Sequence, residues 1–412
     1  MAVGGRADAP GRVALLGILA LLTLVPVTLP VPVLRELVQE RFGVSDLLTS
    51  LFMSINMVGA VLAAPVAGAL ADRFGQRHRL AAAALAIDAL CFLALARAES
   101  FALFMAIRFV EGCAHILALS MILSLAASAA PEARRGRVMG LVGGGMLLGV
   151  AFGAPLGGLL GREDAVTPLL GGAALAALAA LLAASALREH GEGAVRRPGL
   201  SEIARLVRAD RLLLAPLAFA FADRFTVGFF TTTFSLYLRS IHDVSAMRIG
   251  ILIFVFMLPF ALLSYPLGRL AERTSRAVLL CGGSLAYGIG TASLGLWSPD
   301  RLALLMAGLG ATAAVMFVPS LLMTTQLAAA EVRSTALGAF NAAGSLGFIV
   351  GPVTGGLVSQ GVAAVTDWET GYRAAFVVAG TSEVLLAIAV FPLLWRRERS
   401  APAAAWGAAD PR

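Results

Sequence analysis

The stretch GALADRFGQR at residues 68–77 closes a long apolar run and brings two glycines and three charged side chains together. A shortened form of it, GRLAER, stands two hundred positions later at residues 268–273. A second motif repeats at nearly the same offset, as GVAFGAPLGG at 149–158 and GFIVGPVTGG at 347–356. Two motifs that repeat at nearly one offset indicate that the chain consists of two related halves.

The composition is that of a membrane protein. Of 412 residues, 59% are hydrophobic and 14% are charged, whereas a soluble globular protein has about 45–50% apolar and about 25% charged residues. These values argue against a soluble enzyme, a disordered scaffold and a nucleic-acid-binding protein. The three cysteines lie inside apolar runs without metal-ligand spacing, so we expect no disulfide framework and no metal site.

Twelve apolar runs are long enough to cross a bilayer, which takes a helix of roughly 20 residues. Six come first: Val13–Leu34, Leu47–Leu70, Leu80–Ala98, Phe101–Ala129, Val138–Leu160 and Val166–Leu187. Six follow a polar stretch: Leu212–Leu238, Ile249–Leu270, Ala277–Trp297, Leu302–Ala328, Ala336–Val358 and Tyr372–Trp395. We therefore expect an all-α membrane protein with twelve transmembrane helices in two pseudo-symmetric halves. The expected parts are residues 1–187, a cytoplasmic linker at 188–211, residues 212–395 and a cytoplasmic tail at 396–412.

The basic residues predict the orientation. All 32 of them are arginines; 22 fall in the alternate connecting segments that include the two termini, 8 fall in the others and 2 lie inside the apolar runs. Because excess basic residues stay in the cytoplasm, both termini are expected to be cytoplasmic. That outcome requires an even number of spans, and twelve satisfies it.

The repeated motifs resemble those of the major facilitator superfamily over essentially the whole chain. Residues 68–77 are similar to its motif A, and RFVEG at 108–112 is similar to motif B, whose fourth position is more often Gln. The glycine–proline runs resemble motif C, the mark of the proton-coupled drug antiporter branch. Pro155 lies one position later than in that pattern, whereas the copy with Pro352 fits it. The resemblance implies a transporter that works as a monomer, by alternating access and without a cofactor. It also implies a location in the cell membrane, namely a bacterial inner membrane.

For motif A the resemblance implies a latch that holds the two halves together in the outward-open state. Asp72 can pair with Arg73 or Arg77 and can face the positive N-terminal end of another helix. An ordinary solvated turn is the alternative. The predicted latch residues are Gly68, Asp72, Arg73, Gly75 and Arg77 in the first copy and Gly268, Glu272 and Arg273 in the second.

The motif C glycines recur every four residues and so form a smooth stripe on one helix face. They are Gly149, Gly153 and Gly157 in the fifth span and Gly347, Gly351 and Gly355 in the eleventh. Pro155 and Pro352 remove a backbone donor and bend these helices. We expect the stripes to let the halves rock with little steric resistance; close packing of small residues is the simpler alternative.

Ionisable groups inside a span are costly and therefore candidates for function. Six are present: Asp88, Arg108, Glu111, Asp223, Arg224 and Glu383. Arg108 and Glu111 are three residues apart, share a helix face and can pair, and His115 lies one turn further on. The resemblance places them against the central cavity. A carboxylate beside an arginine in a dry cavity suits proton coupling, and a static ion pair is the alternative.

Asp223 and Arg224 are adjacent and point about 100° apart on a helix, so we expect one to face the cavity and the other a neighbouring helix. A substrate or proton role is expected for Asp223. Phe221, Phe225 and Phe229 form a stripe on the same span that suits an apolar or aromatic cargo or, alternatively, helix packing. For Asp88 and Glu383, on spans that the family places peripherally, a local hydrogen-bonded structural role is expected.

The sequence has no phosphate-binding loop of the Gly-x-x-x-x-Gly-Lys type, no His-Glu-x-x-His and no Gly-x-Ser-x-Gly, so ATP hydrolysis and the corresponding enzyme chemistries are not expected. We predict a secondary transporter, not an enzyme, that exports a small organic molecule in exchange for protons. A proton symporter that imports a sugar, an organic acid or a siderophore-like compound is the first alternative. A membrane receptor or membrane-embedded enzyme is the second. No nucleic acid or metal is expected as a partner.

Overall fold

A computed structural model describes residues 10–74, 76–129, 132–187, 200–328 and 332–400. In these ranges the chain forms fourteen α-helices and no strand, which confirms the all-α fold class. In the first part of the chain they are α1 Pro10–Thr28, α2 Asp46–Phe74, α3 Arg77–Arg97, α4 Phe101–Ser128, α5 Glu132–Leu160, α6 Thr167–Ala186 and α7 Leu200–Ala209. The others are α8 Leu214–Thr231, α9 Thr233–His242, α10 Ala246–Arg273, α11 Arg276–Ala292, α12 Leu302–Leu327, α13 Arg333–Ala363 and α14 Trp368–Ser400.

Each of the twelve predicted runs is helical. Within the described ranges, eleven helical segments are long and apolar enough to cross a membrane. The ninth run is shorter than predicted, because α11 has 17 residues and is followed by a 3-10 turn at Leu294–Leu296. The seventh run divides at Thr232, where α8 ends and α9 begins. There the hydroxyls of Thr231 and Thr232 both donate to the Gly228 carbonyl, in competition with the backbone ladder.

The chain clusters into two compact units. Unit 1 comprises Met1–Val44, Ile55–Arg196 and Ser245–Phe254, and unit 2 comprises Ser45–Ser54, Arg197–Val244 and Val255–Arg412. Each unit therefore takes most of its residues from one half of the chain and a short segment from the other half. The start of α2 belongs to unit 2, and the start of α10 belongs to unit 1.

Small and aliphatic residues form the core of unit 1. Leu19, Leu85, Ile122, Val142 and Ala179, from five different helices, are fully buried in one apolar cluster. On the outside of the same helices large apolar side chains remain exposed, including Leu90, Ile18 and Leu181. Apolar residues on both the inside and the outside are expected where the surroundings are lipid.

The linker helix α7 packs on unit 2. Its Leu206 and Val207 contact a cluster of buried residues that includes Leu213, Ala336 and Phe340. The predicted linker thus ends in an amphipathic helix whose apolar residues are partly buried. Residues 188–199 of the linker lie outside the described part of the chain.

Acidic side chains cap the N-terminal ends of two helices in unit 2. Asp367 precedes α14 and accepts hydrogen bonds from the backbone N–H and the hydroxyl of Thr370, at 2.9 and 2.8 Å. These bonds lower the pKa of Asp367. The cap is therefore fully formed above the ordinary aspartate pKa and is lost only as the pH falls through the lowered value.

The end of α14 caps the start of α11. Glu398 accepts hydrogen bonds from the backbone N–H groups of Arg276 and Ala277, at 2.8 and 3.1 Å, and from the hydroxyl of Ser275. A carboxylate at a helix N-terminus satisfies orphan donors and complements the helix dipole. α14 continues into the predicted tail as far as Ser400, and this extension carries the cap.

Replacing Glu398 by Ala leaves these donors without their acceptor, at a cost of about 1–2 kcal/mol. We expect the apparent unfolding midpoint in detergent to fall by about 1–3 °C. Glu40→Ala is the matched control, since Glu40 forms an exposed pair with Arg35 at the end of a helical segment, away from any helix N-terminus, and such pairs contribute little. Equal midpoints for the two variants would contradict the capping role.

Candidate functional site: buried polar clusters in the two units

Two glycines bring the backbones of α2 and α4 into direct contact in unit 1. A Cβ atom at Gly59 would lie 2.2 Å from the carbonyl oxygen of Phe109, and one at Gly112 would lie 2.0 Å from that of Asn56. The thiol of Cys113 also donates to the Gly59 carbonyl at 3.3 Å. Because neither helix has a side chain at the crossing, the neighbouring residues of the two helices meet.

A buried ion pair lies beside this crossing. Arg108 Nη1 and Glu111 Oε2 are 2.8 Å apart, and both residues are 1% exposed. The amide Nδ2 of Asn56 donates to the same Glu111 oxygen. The pairing of residues three apart on α4 is therefore present, with an additional donor from α2 that the sequence motif did not indicate.

Two further titratable groups complete what we call the α3–α4 cluster: Asp88, Arg108, Glu111 and His115. His115 Nδ1 lies 3.7 Å from Asp88 Oδ2, and Asp88 is fully buried. One oxygen or nitrogen atom from each of Asp88, Glu111 and His115 lies within 4.8 Å of the others. The expected local hydrogen bond of Asp88 is not present among the described residues, where neither of its oxygens accepts one.

The sequence contained a signal for the place of Asp88. On α3 it is in register with Leu85, Phe92 and Leu95, which recur at helical spacing and are all buried. A carboxylate on the apolar stripe of a helix faces the neighbouring helices rather than lipid. The resemblance had placed the third span at the periphery of the bundle, and that placement argued against a central position for Asp88.

The crossing of α2 and α4 can be tested by adding one methyl group. In Gly112→Ala the Cβ meets backbone, so a helix must move, at a cost of about 1–3 kcal/mol, and the yield of monodisperse protein should fall. Gly143→Ala on α5 is the matched control, because a Cβ there has no atom within 4 Å. Size-exclusion profiles and unfolding midpoints of the two variants measure the difference. Similar profiles would contradict the close crossing.

In unit 2, the guanidinium of Arg224 lies between two aromatic rings. Its central carbon is 5.5 Å from the ring centroids of both Phe317 and Phe340. Gly344 makes room for it, since a Cβ there would lie 2.3 Å from Arg224 Cδ. Arg224 Nη1 is also 3.7 Å from Asp223 Oδ2. Asp223 and Arg224 therefore form an ion pair with each other, and cation–π contacts with the two rings also stabilise the arginine.

Glu383 is fully buried between α11 and α14. Its Oε2 accepts a hydrogen bond from the hydroxyl of Ser284 at 2.5 Å. The two helices cross at Gly288 and Gly380, where each added Cβ would lie within 2.6 Å of the other glycine's carbonyl oxygen. Glu383 thus makes the kind of local hydrogen bond that the sequence led us to expect.

The phenylalanine stripe of α8 is largely buried by helix packing. Phe225 and Phe229 are 7% and 1% exposed and pack against Ala375 and Ala379 of α14. Phe221 is only partly buried and stacks on Phe225 at 5.9 Å. Packing accounts for two of the three rings, and a cargo-binding role for the stripe stays a prediction.

A hydrogen bond in unit 2 joins segments 326 residues apart in sequence. The hydroxyl of Tyr372, near the start of α14, donates to the carboxylate of Asp46, the first residue of α2. Both residues are 1% exposed. Sequence reasoning missed Asp46, because it stands just before the second apolar run and reads as a loop residue.

The profile of the Major Facilitator Superfamily matches the chain twice, over residues 16–235 and 217–405. The chain belongs to this superfamily. It is accordingly a multi-pass membrane protein of a transporter family, as the motifs indicated.

Solved structures of superfamily transporters have the same fold. A bacterial homolog of the human lysosomal transporter Spinster, in an inward-facing and unoccupied conformation, is 18% identical, with a TM-score of 0.81 over 97% of this chain and 100% of that one. The D-xylose-proton symporter is 16% identical, with a TM-score of 0.73 over 92% of this chain and 96% of that one. The nucleoside transporter NupG is 16% identical, with a TM-score of 0.74 over 93% and 98%.

One curated relative matches part of the chain. Quinidine resistance protein 1 of Saccharomyces cerevisiae (strain ATCC 204508 / S288c) is 29% identical over 128 residues. The match spans 31% of this chain and 22% of the length of that protein.

Most of superfamily motif A falls outside the described side chains. Those of Asp72, Arg73 and Glu272 are among the undescribed ones, and Gly75 lies outside the described residues altogether. Gly68 lies within α2, and Arg77 is buried at the start of α3. In the second copy, Gly268 lies within α10, and a Cβ atom added there would lie 3.7 Å from Val318 Cγ1. Arg273 is exposed. The latch stays a prediction.

The motif C stripes contact helices of their own units. Cβ atoms on Gly149, Gly153 and Gly157 of α5 would lie 2.0–2.5 Å from the backbone oxygens of Leu21 and Val25 in α1 and of Leu29 just after it. On α13 the corresponding atoms of Gly347 and Gly351 would lie 2.3 and 2.2 Å from backbone oxygens of α8, and that of Gly355 would lie 2.2 Å from the hydroxyl of Thr233 on α9. The stripes allow close packing in the structure, and their role in rocking stays a prediction.

The next glycine after each stripe has a different partner. A Cβ on Gly158 would lie 2.5 Å from the Ala246 carbonyl oxygen at the start of α10, and one on Gly356 would lie 2.9 Å from Leu47 Cα at the start of α2. These are contacts between segments from opposite halves of the sequence. Successive side chains point about 100° apart on a helix, so each motif contacts two neighbouring segments at once.

Proposed function

We propose that this superfamily member is a secondary active transporter that exports a small organic molecule in exchange for protons, by alternating access. The observation that carries the proposal is the α3–α4 cluster, which places two carboxylates, an imidazole and a guanidinium inside apolar, bilayer-length helices. Ionisable groups at such depth mark ion pathways and proton relays.

The chemistry of the cluster favours protons as the coupling ion. Arg108 does not release its proton in a protein, so the titratable members are Asp88, Glu111 and His115. Their protonation changes the charge that faces a neighbouring site, and a bound substrate changes the protonation in return. Arg108 and Glu111 are the proposed core of the coupling.

Two observations support export. The motif C glycines are typical of the antiporter branch, and both copies form complete stripes in the structure. The partial relative from Saccharomyces cerevisiae is named for resistance to quinidine. We propose an organic compound with an apolar body as the cargo, with Asp223, Arg224 and Phe221 in unit 2 as candidate contacts.

The arginine distribution supports an orientation with both termini in the cytoplasm. We propose a bacterial inner membrane as the location and a monomer as the working form.

Proton-driven import is the second candidate. The fold is also that of a D-xylose-proton symporter, so the fold does not distinguish the two directions. Import would draw cargo into cells along with protons, whereas export moves cargo against the inward proton flow.

Transport in inverted membrane vesicles with an acidic interior tests direction and coupling together. Export by antiport predicts quinidine accumulation that collapses when the gradient is dissipated. In Glu111→Gln, gradient-driven accumulation should fall to the rate of vesicles without the protein, while exchange of labelled for unlabelled quinidine persists. Glu369→Gln is the control, because Glu369 is exposed at the start of α14.

Accumulation of labelled xylose in right-side-out vesicles, with none of quinidine in inverted ones, would instead establish import. Glu111→Gln with intact gradient-driven flux would remove that residue from the coupling.

A further inference from the structure

The α3–α4 cluster has an unequal number of charges. Two carboxylates, Asp88 and Glu111, stand against one guanidinium, Arg108. All three are at most 1% exposed. When both carboxylates are ionised, one negative charge remains without compensation in the interior of a membrane protein, which is costly. One bound positive charge makes the cluster neutral.

The two carboxylates differ in what surrounds them. Glu111 accepts from both Arg108 and Asn56, and these donors stabilise its ionised form. Asp88 accepts no hydrogen bond from the described residues, and the atom that faces it is His115 Nδ1 at 3.7 Å. That nitrogen is itself buried and has no hydrogen-bond partner in the described part of the chain. The missing positive charge therefore belongs between Asp88 and His115.

We propose that the Asp88–His115 pair is the proton-binding site of the cluster, and that it holds one proton on His115 Nδ1, directed at Asp88 Oδ2. The imidazole takes up the proton and becomes an imidazolium, and its N–H then donates to the aspartate as the two atoms close from 3.7 Å to hydrogen-bond length. Glu111 remains the ionised partner of Arg108. The inference rests on the proposed proton coupling and names the group that carries the proton.

The surroundings of the pair fit a proton better than a metal ion. A divalent cation between Asp88, Glu111 and His115 would stand beside the Arg108 guanidinium, which is 2.8 Å from a Glu111 oxygen. α6, which also packs against α3, contributes no titratable side chain. Among the described residues, the thiols of Cys91 and Cys113 also interact with the carboxylates of the cluster, and they are neutral donors of small size. The side chain of His115 is 10% accessible, which leaves the imidazole a route for proton exchange.

The charge count also gives Glu111 a defined part. Removing its charge leaves Asp88 and Arg108 in balance, so the cluster then has no electrostatic reason to bind a further proton. Asp88→Asn has the same effect from the other side. Both variants uncouple, yet only the imidazole changes its protonation state during the cycle.

The protonation state of His115 can be measured directly by nitrogen-15 NMR of histidine-labelled protein in lipid nanodiscs. The chain has four histidines, and the spectrum of His115→Gln assigns the resonance. We expect an imidazolium at pH 7 in the wild type and a fall of the imidazolium fraction by about tenfold in Asp88→Asn. Asp88→Glu should restore the signal. Ser185→Ala, which removes an exposed hydroxyl on α6, should leave it in place, and His242, which contacts Tyr237 in unit 2, is the internal reference.

Several outcomes would overturn the site. A neutral His115 across pH 5–8 in the wild type would do so even if no variant folds. An imidazolium that persists in Asp88→Asn would show that Asp88 is not its partner. A His115 signal that changes with sodium chloride but not with choline chloride would show that sodium supplies the charge. If instead His115 titrates as described but quinidine flux ignores the pH gradient, the coupling fails and the proton site stands.

Discussion

Direct contact between helix backbones is the constraint on which this structure depends. Lipid is as apolar as the side chains, so helices in a membrane associate through close packing rather than through the hydrophobic effect. That packing is supplied in unit 1 by Gly59 and Gly112, and in unit 2 by Gly288 and Gly380. A Cβ atom on any of these glycines would meet the backbone of the opposite helix. The motif C stripes extend the same principle along whole helices.

The polar groups follow from these crossings. Where two backbones touch, side chains one residue or one turn away are forced together and shielded from lipid. Glu111 precedes Gly112 and meets Asn56 of α2, and Glu383 lies one turn from Gly380 and meets Ser284 of α11. A buried carboxylate thus finds its donor because a glycine nearby allows the approach, and the close packing that holds the bundle also assembles its chemistry.

Sequence alone predicted the helices well and their contacts incompletely. Hydropathy located all twelve runs, since span length is a property of each segment by itself. Spacing predicted the Arg108–Glu111 pair, because both residues lie on one face of the same helix. The approach of Asp88 to His115 was not predicted, and Asn56 and Asp46 were missed, because periodicity defines the faces of a helix but not which faces of different helices meet. The break at Thr232 was missed because two threonine hydroxyls compete locally with the backbone, which apolar content does not record.

The shortness of α11 ties the protein to the thickness of its membrane. Seventeen residues at 1.5 Å each span about 26 Å, less than the roughly 30 Å of hydrocarbon in an average bilayer. The 3-10 turn of three residues that follows adds about 6 Å and brings the segment to the thickness of the hydrocarbon, and its Leu296 is 79% exposed. The segment therefore matches an average bilayer only with this turn folded, and the helix alone is too short. Acyl-chain length becomes a variable that acts on α11 more than on its longer neighbours, and Glu398, bound to its first turn, keeps that end from shifting to compensate.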